Sequence, residues 1–187
     1  STANVTGGSI RTTGEGGIGV LSRIIVPPGS PLSSTATSTA QVAGPATVVS
    51  TGPGGTGVHS ISIGGTSVSN VTGGGNVDAQ GVDGVGIFAA SNSGAYSITV
   101  GTGSTVTGGS GKGSAIHGLT QSQTVTNSIV IQAGATVNGS RSGVAIRDAD
   151  GNRDGIDAEA NKTNVNTAGT VIGDIRMGFN DDRVDVT

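Results

Sequence analysis

The chain has 187 residues, including 36 Gly, one Met, no Cys and no Trp, and its formal net charge is −3. Without cysteine it has no disulfide, metal-thiolate or thiol-nucleophile chemistry. Lys and Arg together number 9 and aromatics make up 2%, so neither a basic track along a phosphate backbone nor a base-stacking row is available, and no nucleic-acid partner is expected. No run of 18 apolar residues occurs, so no segment would cross a membrane as a helix. Glycine at this level without a triplet period excludes collagen. Helix formers are scarce, and β-branched Val, Ile and Thr fill the apolar segments, so an all-β chain is expected.

Residues 4–26 read as a first, imperfect copy of a repeat: Asn4-Val5-Thr6-Gly7-Gly8, then Gly17-Ile18-Gly19-Val20-Leu21. Residues 27–57 hold all five prolines, Pro27, Pro28, Pro31, Pro45 and Pro53. Proline removes ladder donors, so this Pro/Ser/Thr-rich stretch is expected to be a surface insertion with one short strand at Thr47-Val48-Val49. One phrase then appears three times: Ser60-Ile61-Ser62-Ile63, Ser97-Ile98-Thr99-Val100 and Ser128-Ile129-Val130-Ile131. A second strand follows at Thr66-Ser67-Val68, Ser104-Thr105-Val106, Ala135-Thr136-Val137 and Gly169-Thr170-Val171. A third follows at Gly86-Ile87-Phe88, Ala115-Ile116-His117 and Ala145-Ile146-Arg147.

These copies, at 58–96, 97–127, 128–162 and 163–187, hold too few apolar residues to bury themselves singly, so each must stack on its neighbours. Equivalent strands recur in one phase, as expected when each copy winds once round an axis. The expected fold is a single-domain, right-handed parallel β-helix of about five coils spanning 1–187, about 25 Å long by the spacing of paired strands. The alternation points Ile61 with Ile63, Ile98 with Val100 and Ile129 with Ile131 inward. Val106 and Val137 form a second inward column, and Ile87, Ile116 and Ile146 a third. Phe88, His117 and Arg147 share one outward position, a candidate ligand-facing ladder for an anionic or planar ligand.

Other motifs carry less chemistry. Residues 148–159, from Asp148 through Asp150, Asn152, Asp154 and Asp157 to Glu159, alternate oxygen side chains as a calcium loop does. However, Arg153 stands where the turn glycine belongs. Calcium is the one metal this loop suggests; the plainer reading is a solvated acidic loop. Residues 178–184 echo one calcium-binding nonapeptide, a motif that needs stacked copies. His59 and His117 are the only histidines, and no G-x-S-x-G elbow accompanies them. No catalytic, cofactor or metal residue is therefore assigned.

The phrases Thr136-Val137-Asn138-Gly139 and Ala168-Gly169-Thr170-Val171-Ile172-Gly173-Asp174-Ile175 set up a wider likeness. With the closing Met177-Gly178-Phe179-Asn180-Asp181-Asp182-Arg183-Val184, they resemble the passenger region of bacterial autotransporters. The resemblance covers residues 58–187 and, more faintly, 4–26. It implies a β-helix exported to the surface of a Gram-negative cell or secreted, anchored by a separate C-terminal β-barrel that this sequence does not contain. The chain opens on Ser1 without a signal-peptide pattern, as a processed passenger segment would. The implied function is a non-catalytic adhesin or structural segment, whose partners are a host cell surface, extracellular matrix or another copy. The competing expectation is a polysaccharide lyase or hydrolase on the same scaffold, which would need clustered acids or a basic catalyst in a groove.

Overall fold

A computed structural model describes residues 1–25, 36–122, 124–148, 162–178 and 182–187. These hold strands and turns but no helix. The first coil comprises β1 (Thr2–Val5), β2 (Ser9–Thr12) and β3 (Ile18–Ile24); the second, β4 (Thr37–Ala43), β5 (Thr47–Ser50) and β6 (Thr56–Ser62). The third is β7 (Thr66–Thr72), β8 (Asn76–Ala79) and β9 (Val85–Ser91), and the fourth β10 (Tyr96–Val100), β11 (Thr105–Thr107) and β12 (Ser114–Thr120). The fifth is β13 (Thr126–Ile131), β14 (Thr136–Asn138) and β15 (Val144–Asp148). The sixth is β16 (Lys162–Thr167), β17 (Thr170–Ile172) and β18 (Asp174–Arg176), and β19 (Arg183–Val186) lays one more strand on β16.

Every described strand pairing is parallel and joins a strand to its equivalent in the next coil. Three sheets result: β1-β4-β7-β10-β13-β16-β19, β2-β5-β8-β11-β14-β17 and β3-β6-β9-β12-β15-β18. The fold is a parallel β-helix of about six coils, one more than the sequence suggests.

The extra coil is the supposed insertion. Residues 37–57 hold β4, β5 and the start of β6. Pro45 and Pro53 occupy turns between strands, where no ladder donor is required. Gly44 and the matching Gly73 make the same turn with positive φ, 65° and 64°, a conformation glycine adopts without strain. Pro27, Pro28 and Pro31 lie outside the described residues.

Three apolar columns fill the interior. Val42, Val71, Val100 and Ile131 line the first sheet; Val48, Val77, Val106 and Val137 the second; Val58, Ile87, Ile116 and Ile146 the third. All are 0–1% exposed. Each such side chain contributes about 1.5–3 kcal/mol when fully buried.

One phase assignment fails. Ser60–Ser62 belong to β6 in the third sheet, and Thr66–Val68 to β7 in the first, where Ser69, not Ile61, pairs with Ile98. Ile61 points outward and Ile63 lies beyond the strand, whereas Ser60 and Ser62 are fully buried. Alternation alone reads Ser-Ile-Ser-Ile equally well in either phase. What selects the phase is a hydrogen-bonded interior: Ser60 Oγ lies 2.6 Å from Ser67 Oγ and 2.7 Å from Ser69 Oγ. Satisfied in this way, the Ser60 hydroxyl carries little desolvation penalty, whereas Ser62 Oγ has no partner among the described residues.

Candidate functional site: the outer face of the third sheet

The third sheet carries an outward column that the parallel register holds in line. Leu21 pairs with His59, His59 with Phe88, Phe88 with His117, His117 with Arg147, and Arg147 with Arg176. Phe88, His117 and Arg147 thus stand at consecutive rungs, as their phase in the sequence requires. Leu21 and His59 below and Arg176 above were not legible, because the misassigned phase of residues 58–63 placed His59 off the column.

The rung spacing sets the contacts. The His59 and Phe88 rings are 4.7 Å apart and the Phe88 and His117 rings 5.0 Å, both crossing at 78°. Edge-to-face packing places the positive rim of one ring against the negative face of the next. Burial, and then the Arg23 charge, lower the His59 pKa from 6.5 to about 4, so this imidazole is neutral at pH 7. Neither His59 nitrogen has a hydrogen-bond partner among the described residues. The column is consequently graded: apolar Leu21 and neutral His59 and Phe88 at one end, Arg147 and Arg176 at the other. Arg176 pairs with Asp174 at 3.1 Å in an exposed position.

A cleft flanks the column on each side. One, of about 380 Å³, lies between the column and the stacked turns that carry Gly16, Gly54 and Asp83. Asp83 is the one non-glycine residue with positive φ, 59°, among the described residues, and its Oδ1 accepts the Lys112 amide at 2.6 Å. The other cleft, of about 340 Å³, is lined by Ile61, Ala90, Leu119, Asn92 and Gln121.

The other two faces differ in kind. The first sheet presents Asn4, Gln41, Asn70, Thr99, Val130 and Asn166 in one outward column. The second presents Ser9, Thr47, Asn76, Thr105, Thr136 and Thr170. Arg141 crosses this second face to the Asp78 carboxylate at 2.5 Å and to the carbonyls of Ala79 and Gly108 at 3.1 and 3.3 Å. Burial opposes ionisation of Asp78. Hydrogen bonds from Arg141 and Gln80, with the Arg141 charge, outweigh it and hold the carboxyl below its usual range.

Asp148, the first residue of the supposed calcium loop, faces the interior. It is 2% exposed and accepts the Tyr96 hydroxyl at 2.8 Å. Tyr96 also meets Thr163 Oγ1 at 3.2 Å, and its amide donates to Asn127 Oδ1 at 3.0 Å. Burial, followed by the Asp148 charge, pushes the Tyr96 phenol well above its ordinary value. Residues 149–159 and residues 179–181 of the 178–184 motif lie outside the described residues. Among the described residues no three His, Asp or Glu side chains are grouped to hold a metal. This network was not foreseen; its signal is Gly118, where an added Cβ would sit 2.2 Å from Tyr96 Cζ.

Comparisons of the chain with protein-family models, with curated proteins and with solved structures return no match.

Proposed function

We propose that the chain is a binding and spacing segment of a surface-exposed or secreted bacterial protein, of the autotransporter-passenger kind, that attaches to a host surface or matrix or to another copy. One observation carries this reading. Two faces of the β-helix present mainly Ser, Thr, Asn and Gln, with the Arg141–Asp78 ion pair on one of them, while the third shows an aromatic and aliphatic column on its outside. An exposed apolar patch rimmed by polar residues is a common mark of an interaction site. The aromatic and arginine residues in it are those that dominate binding energy at interfaces.

Binding is favoured over polysaccharide hydrolysis because acid–base hydrolysis uses two carboxyl groups across a groove. Among the described residues Asp83 is the one carboxylate lining the two clefts, and Asp148 is turned inward against Tyr96. The test is capture of the purified chain by cultured host cells, immobilised matrix proteins and the chain itself, with sugar release measured in parallel. Saturable capture, weakened by Phe88→Ala and Leu119→Ser but not by Thr105→Ala, is expected. Soluble sugar released from a polysaccharide substrate would favour the enzyme reading, and capture unaffected by third-sheet changes would remove this face from the proposal.

A further inference from the structure

We propose that the cleft between the ladder and the turn stack binds an uncharged, hydroxylated ring, a neutral sugar residue of a surface glycan. This rests on the binding role proposed for the third sheet and narrows it to one ligand class.

The cleft walls are built before any ligand arrives. On one side Gly16 N–H donates to Pro53 O at 2.8 Å, Gly54 N–H to Val82 O at 2.7 Å and Asp83 N–H to Ser110 O at 2.9 Å. Successive turns are thereby tied to one another by their own backbones. On the other side the His59–Phe88–His117 stack stands on three hydrogen-bonded rungs. A preformed concave site avoids much of the ordering cost of binding. Its volume of about 380 Å³ falls in the range of small-molecule sites.

The lining selects the chemistry. Ile18, Val85, Leu119 and the Phe88 ring give it apolar surface, and Thr56, Asp83 and the two imidazoles its polar groups. Among the described residues Asp83 supplies the one carboxylate, and no Lys or Arg lines the cleft. An anion would face that carboxylate with no cation in the lining to offset it. A cation would meet one carboxylate but also Arg23, whose charge is felt at His59. A hydroxyl suits the groups present: it donates to the Asp83 carboxylate and both donates to and accepts from the Thr56 hydroxyl. Asp83 Oδ1 is taken by the Lys112 amide, which leaves Oδ2 for such a bond. A ring that sets C–H groups against Phe88 and Val85 while directing hydroxyls to Asp83 and Thr56 is a sugar ring.

The experiment uses the full chain on a panel of immobilised neutral polymers (glucan, mannan, galactan) and anionic ones (heparin, hyaluronate), alongside the cell and matrix capture above. The expected result is binding to at least one neutral polymer in preference to both anionic ones. Asp83→Asn should weaken it tenfold or more without shifting the melting temperature; Phe88→Ala should weaken it as much while the chain, somewhat less stable for want of the two ring contacts, still melts cooperatively; Thr105→Ala on the second sheet should do neither. Asparagine tolerates the positive φ at position 83, so that variant tests the charge with the fold kept. Preference for heparin, or full binding by both cleft variants, overturns the proposal. Capture of cells or matrix with no neutral polymer bound overturns the sugar assignment and leaves the binding role standing; capture of nothing overturns both.

Discussion

The two sides of the third sheet differ by one residue in sequence and are opposite in character. In the second half of each strand the inward column runs Ser22, Ser60, Ala89, Gly118 and Asp148, while the outward column one position earlier runs Leu21, His59, Phe88, His117 and Arg147. Large and aromatic groups face out, and small or polar groups face in, the reverse of the ordinary pattern for a half-buried strand. The inside has a folding reason. Ser38 Oγ donates to Ser22 Oγ at 2.9 Å, Ser60 meets Ser67 and Ser69, and the space over Ala89 and Gly118 is filled by Tyr96 reaching Asp148. The outside has no such reason, which is why function is sought there.

The most severe way to break this contrast is to put charge on the inside. Ile116 is 0% exposed at the centre of the third apolar column. Ile116→Asp would bury an unpaired carboxylate and should cost more than about 4 kcal/mol, enough to unfold the stack. Thr105→Asp, on the outer face of the second sheet, should cost under about 0.5 kcal/mol. Similar melting temperatures for the two variants would contradict the assignment of faces.

Next in size is overpacking. Gly118→Val places a branched side chain where Tyr96 Cζ lies 2.2 Å from the ideal Cβ position. Either Tyr96 must leave its pocket or the coils must separate, at about 3 kcal/mol. The matched outward change, Leu119→Val, should stay within about 1 kcal/mol. Chemical denaturation of both separates them, and equal midpoints would show that Tyr96 does not fill that layer.

Tyr96→Phe is milder. It keeps the ring and removes the hydroxyl that Asp148 and Thr163 share, so loss of about 1–3 kcal/mol is expected. If Asp148 is satisfied without Tyr96, the variant will melt like the parent chain.

How far the sequence could be read follows from the same contrast. Where inward residues are apolar, as at Ile98 with Val100, at Val106, and at Ile87 with Ile116, period-2 alternation identified both strand and face. It failed at Ser60–Ile63, because the interior there is polar and the alternation carries no sign. That error then hid His59 from the ladder. Proline was read too strongly: Pro45 and Pro53 sit in turns of a regular coil, so counting prolines across 27–57 concealed β4, although the strand expected at Thr47-Val48-Val49 is β5. The Tyr96–Asp148 bond joins residues 52 apart in sequence. Only the stacking of coils brings them together, and no local pattern marks it. The clefts depend on turns of three successive coils lying in register, which the sequence supplies only once the offset between coils is known.

The smallest effect expected is one of pH, and it concerns the outer column. His59 is neutral in the fold, with its pKa brought down to about 4 by burial and by Arg23. The unfolded chain, at about 6.5, therefore takes up the proton more readily between those values. Stability is at its full value above about pH 6.5 and declines as pH falls towards 4. Allowing for the partial exposure of the ring, the loss by pH 5.5 should be about 1 kcal/mol. Asp78, held below its ordinary 3.8, yields its contribution only at lower pH and does not blur this window. His59→Gln keeps a polar side chain of similar size without the titration, so melting curves between pH 7 and 5 should be flatter than those of the parent chain. Parallel curves would mean that His59 is as readily protonated in the fold as in water. The outer column would then be a set of solvated side chains, and the contrast between the two sides of the sheet would lose its functional meaning.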